Sequence, residues 1–75
     1  MPPALHLTAS MKVLRAHQRR RHVTVSDARQ AIKDAAYFTA VGDPGPETKA
    51  LVARLEKTTG VSIADLAIYA EEWPA

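Results

Sequence analysis

Residues 55–66 read Leu55-Glu56-Lys57-Thr58-Thr59-Gly60-Val61-Ser62-Ile63-Ala64-Asp65-Leu66. These twelve residues end one helix and begin another. Gly60 is a natural stop, because glycine enters the left-handed conformation that closes a helix without steric cost. Ser62 is an N-cap and Asp65 stands three residues on, at N3. Val61, just before the cap, pairs with Leu66 at N4 as a hydrophobic staple. Two helices joined this tightly predict an all-α domain.

Working outward, the helix before Gly60 runs back to Pro46, a residue suited to a first helical turn. Thr48, Leu51, Val52 and Leu55 share one of its faces. Asp43-Pro44-Gly45-Pro46 is the clearest break in the chain, and Gly42 stops the helix before it. That earlier helix starts at Thr24 as N-cap with Asp27 at N3, and Val23 staples onto Ala28. Its face is Ala28, Ile32, Ala35, Ala36 and Thr39, small residues to which Tyr37 and Phe38 are expected to add bulk. A first helix is expected from Thr8 or Ser10, with Leu7, Met11 and Leu14 as its apolar stripe. The last helix faces inward with Ile63, Leu66, Ala70 and Trp73, Tyr69 at the edge and Ile68 on the opposite side. The expectation is four helices, about 8–20, 25–40, 46–59 and 62–73, or three with a basic first helix.

The 75 residues form one small domain, 47% hydrophobic and 24% charged, a balance that permits a core but only a modest one. With no cysteine there is no disulfide, thiolate metal site or cysteine nucleophile. Small unstapled domains often gain stability from a partner or by dimerising. No run approaches a membrane span, and the first residues lack the pattern of a secretory signal. The acid-free first 26 residues share the composition of a transit peptide, but they lead directly into helix signals. Abundant alanine, absent asparagine and arginine outnumbering lysine point to a bacterial or phage source, with the cytoplasm as the default location.

The net charge of +2 hides a division. Residues 1–33 carry Lys12, Arg15, Arg19, Arg20, Arg21, Arg29 and Lys33 against Asp27 alone, a net +6. Residues 34–75 carry Lys49, Arg54 and Lys57 against Asp34, Asp43, Glu47, Glu56, Asp65, Glu71 and Glu72, a net −4. The sequence therefore divides into a basic arm, 1–22, on a helical body, 23–75. The arm's cluster is His17-Gln18-Arg19-Arg20-Arg21-His22. Guanidinium groups stay charged and grip phosphate bidentately, so DNA contact through Lys12, Arg15, Arg19, Arg20 and Arg21 is expected. No aromatic interleaves them, which argues against a single-strand stacking platform.

Leu55, Gly60, Val61, Leu66 and Tyr69 fall where the helix-turn-helix family places its apolar and turn residues, and residues 55–69 resemble that motif. Glu56 stands where the family has a small residue. Asp65, Glu71 and Glu72 make the second helix acidic, so it repels phosphate rather than reading bases. Leu51, Leu55, Gly60, Ser62, Leu66 and Ala70 are similar to the helix pair of ribbon-helix-helix repressors. That family implies a strand before the pair. Tyr37–Val41 is in the right place but apolar and helix-like; His22–Val25 has the strand chemistry but precedes the wrong pair. Val23-Thr24-Val25-Ser26-Asp27-Ala28-Arg29 also looks like the start of some antitoxins of another fold.

No enzyme is expected. His6, His17 and His22 have no ligand spacing, no glycine-rich phosphate loop is present, and Glu71 and Glu72 face different ways on one helix. No cofactor, metal or small-molecule substrate is implied. The reading is a small DNA-binding accessory or regulatory protein of phage, plasmid or antitoxin type. Its alternative is a protein-interaction adaptor. Trp and Tyr anchor interfaces, so Ile68, Tyr69 and Trp73 are the candidate contacts for a protein partner or homodimer.

Overall fold

The computed structural model describes residues 4–74. The chain forms four helices, α1 (Leu7–Gln18), α2 (Val25–Ala40), α3 (Pro46–Thr59) and α4 (Ile63–Glu71), and among the described residues there is no strand. The all-α, four-helix expectation is met. The strand that a ribbon-helix-helix protein needs is missing: residues 37–40 belong to α2, and 22–24 form an irregular connector.

Local chemistry sets most of the boundaries. The Asp27 amide donates to Thr24 Oγ1 at 3.0 Å, and the Asp65 amide donates to Ser62 Oγ at 3.2 Å. Both N-caps therefore form as the sequence predicts. Past α2, Gly42 adopts φ 77°. The Gly42 amide donates to the Thr39 carbonyl and the Asp43 amide to the Phe38 carbonyl, which is a Schellman closure. Gly60 also has φ 77° and closes α3.

The start of α1 differs from expectation. Its cap is His6 in the left-handed region, with no side-chain bond, rather than Thr8 or Ser10. Ser10 is instead fully buried beside Val13 and Leu14, and its hydroxyl has no partner among the described residues. The buried face of α1 is thus rotated from the expected one, with Leu7 and Met11 only partly covered. The helix stops at Gln18 because Arg19 turns into the left-handed region, φ 55° and ψ 42°.

The core joins all four helices through Leu14, Ile32, Leu55 and Leu66, each inaccessible to solvent, and Val23 packs in from the connector. Tyr37 and Phe38 do not fill it. Tyr37 is 62% exposed, Phe38 is 44% exposed and Thr39 is exposed too. Trp73 supplies the expected bulk from beyond the end of α4. It is buried, and its indole N–H donates to the Leu5 carbonyl at 2.7 Å, tying the two ends of the chain together.

Two polar clamps complete the body. Arg29 of α2 donates from Nε to the Ala70 carbonyl at 2.8 Å and from an Nη to the Trp73 carbonyl at 2.6 Å. It therefore holds the end of α4 through two carbonyls, of which that of Ala70 also accepts from the Trp73 amide at 3.2 Å. A carboxylate oxygen of Glu56 accepts from the Ile63 amide at 2.8 Å, capping α4 from the preceding helix. No helix among the described residues is long and apolar enough to cross a membrane.

Candidate nucleic-acid interface

The seven basic residues of positions 1–33 fall into two groups once folded. Arg29 and Lys33 are engaged by the fold: half-buried Arg29 clamps α4, and Lys33 meets Glu71 at the surface at 2.8 Å. The hydrogen bond and positive charge of Lys33 hold the Glu71 carboxyl below its ordinary value of 4.5. The other five differ. Lys12, Arg19, Arg20 and Arg21 are exposed and Arg15 is half-buried. Among the described residues none of the five lies in an ion pair.

Backbone geometry explains how they are presented. Lys12 and Arg15, three residues apart, lie on neighbouring positions of one helix face. The left-handed turn at Arg19 is held by its own amide bonding to the Ala16 carbonyl and by the Arg20 amide bonding to the Arg15 carbonyl. Arg20 and Arg21 therefore leave the helix axis, so the basic stripe does not continue along α1. The cluster sits at the negative end of the helix dipole, which offsets part of the mutual repulsion of the arginines. Nearby, His17 Nε2 lies 3.6 Å from a Glu47 carboxylate oxygen, linking α1 to the first turn of α3.

The expected protein-contact residues separate. Ile68 is 63% exposed. Tyr69 is half-buried and stacks on His6, with ring centroids 5.5 Å apart and planes tilted by 46°. Trp73 is sealed in the core, so its face is unavailable as an anchor for another molecule. No group of three metal-ligating side chains occurs among the described residues.

A surface feature that the sequence does not announce lies between α2 and α4. Ala36, Tyr37, Ala40, Ala64, Ala67 and Ile68 line an open apolar groove of about 440 Å³, with Lys33 and Glu71 also on its border. The signal was present as a second i, i+3, i+4, i+7 spacing in each helix, but alanines in an alanine-rich chain do not stand out.

Comparison with protein-family models finds no match, and neither does comparison with curated proteins or with solved structures.

Proposed function

We propose that this chain is a small DNA-binding accessory or regulatory protein that holds duplex phosphates with the basic end of α1. The observation that carries the reading is the division of labour among the cations of residues 1–33. Arg29 and Lys33 have partners in the fold, whereas Lys12, Arg15, Arg19, Arg20 and Arg21 have none among the described residues. Unpaired guanidinium groups at one helix end favour phosphate, which they contact bidentately.

The contacts proposed are positioning contacts rather than base readout. The second helix of the α3–α4 pair carries Asp65, Glu71 and, just past its end, Glu72, so it is repelled by a phosphate backbone. The test is duplex binding followed by fluorescence anisotropy across a salt series. If four phosphates are neutralised, log K falls against log salt with a slope near about −3.6. Joint replacement of Arg19, Arg20 and Arg21 by Ala is expected to abolish binding and leave the helical circular dichroism unchanged. Absence of duplex binding at ~50 mM salt, where this electrostatic term is strong, rejects the reading.

A further inference from the structure

The groove between α2 and α4 has a regularity that its depth alone does not convey. Its lining residues on α2 are 33, 36, 37 and 40, and on α4 they are 64, 67, 68 and 71. Both sets follow the same i, i+3, i+4, i+7 spacing. The core-facing residues of α2 are Ala28, Ile32 and Ala35, and those of α4 are Ile63, Leu66 and Ala70. At 3.6 residues per turn, the groove stripe lies about 120° around from the core stripe on both helices. Each helix thus has two apolar faces, the pattern of a helix that packs against more than one neighbour. Only the inner face is covered.

We infer that this face is a dimer interface, and that a second copy of this chain covers it, giving a four-helix bundle of α2 and α4 with their counterparts. Shape supports the choice of occupant. Tyr37 and Ile68 project, 62% and 63% exposed, while Ala36, Ala40, Ala64 and Ala67 leave hollows beside them. A twofold interface must be complementary to itself, and a face carrying both projections and hollows is compatible with that condition. The alanines permit close approach of helix axes.

Charge supports it as well. The charged groups bordering the groove are Lys33 and Glu71, which neutralise one another at 2.8 Å. The face is therefore close to neutral on a chain whose two parts carry +6 and −4. It offers an acidic or a basic partner no net attraction, and two copies meet there without net repulsion. Arg29 and Lys33 of α2 meet the end of α4, so the two helices run in opposite directions. The lining spans positions 33–40 of α2 and 64–71 of α4, about 12 Å along each helix axis, so the face is small. A face of this size gives a reversible, concentration-dependent dimer.

Sedimentation equilibrium of the full chain tests this from ~5 to ~500 µM, the range that suits an interface at the small end of the scale. The mass is expected to rise with concentration from 8.2 kDa toward twice that value. Ile68→Glu and, separately, Tyr37→Ser are expected to remain at monomer mass with unchanged helical circular dichroism; both positions are exposed, so folding does not depend on them. The variant with Arg19, Arg20 and Arg21 replaced by Ala is expected to dimerise like the parent, which separates this interface from the proposed DNA contact. A parent chain that stays monomeric throughout overturns the proposal and leaves the groove to a helix of another protein. A folded Ile68→Glu variant that dimerises as the parent does overturns it equally.

Discussion

Arg19 shows how a single residue can serve the surface at some expense to the fold. It sits at φ 55° as the C-cap of α1, a conformation that costs a non-glycine residue about 1 kcal/mol or more. A glycine there would relieve the strain, as Gly42 and Gly60 do at the ends of α2 and α3. Arg19→Gly is therefore expected to stabilise the domain by about 1 kcal/mol in thermal melts. The same change removes one phosphate contact, so the salt slope of duplex binding should become shallower by about 0.9. A variant that is more stable and keeps the parent slope would show that Arg19 is not a contact. The identity of residue 19 is plain in the sequence, but its backbone conformation is not. Nothing local in Gln18-Arg19-Arg20-Arg21 stops a helix; the turn arises because the connector must bring Val23 back to the core.

At the scale of the helices, α2, α3 and α4 were legible because most of their stops and caps are local, whereas α1 starts at His6 without a side-chain cap and ends at Arg19 without a local stop signal. Thr24 with Asp27 and Ser62 with Asp65 form their bonds within four residues, and Gly42 and Gly60 close helices through their own backbone freedom. The clamps between helices were not legible, because they join distant residues. Arg29 lies 41 residues before Ala70 and 44 before Trp73. In the sequence it counts as one more cation of the basic half; in the fold it holds the end of α4. Arg29→Met keeps much of the side chain's length but loses both bonds. It is expected to cost about 2–3 kcal/mol, the scale of hydrogen bonds made by a charged group. Arg21→Ala, on an exposed residue with no ion pair among the described residues, is expected to change stability by less than about 0.5 kcal/mol. Urea denaturation of the two variants checks the contrast, and equal losses would contradict it.

For the whole molecule, the small size makes each large core residue matter. Trp73 is 3% exposed, lies beyond the last helix and binds the Leu5 carbonyl, so it holds the start of the chain against the end. Trp73→Phe is expected to lower stability by about 1–2 kcal/mol through the lost hydrogen bond and altered shape. Trp73→Ala removes a core aromatic, at a cost of about 3–5 kcal/mol, and is expected to leave this domain largely unfolded at 25 °C. Circular dichroism at that temperature checks both; a folded Trp73→Ala variant would show that the core closes without the indole. The sequence by itself determined the all-helical class, the number and approximate position of the helices and the separation of basic from acidic charge, because periodicity, caps and counts are properties of neighbours in the chain. Only the tertiary structure decided that Ser10 lies in the core and Tyr37 outside it, that Trp73 is sealed, and that Arg29 and Lys33 have partners while Lys12, Arg15, Arg19, Arg20 and Arg21 have none among the described residues. It also decided that two modest alanine stripes, 24 residues apart at their nearest lining positions, meet in one groove. Those outcomes depend on which helix faces lie against each other, and that follows from packing the whole chain at once rather than from any segment of it.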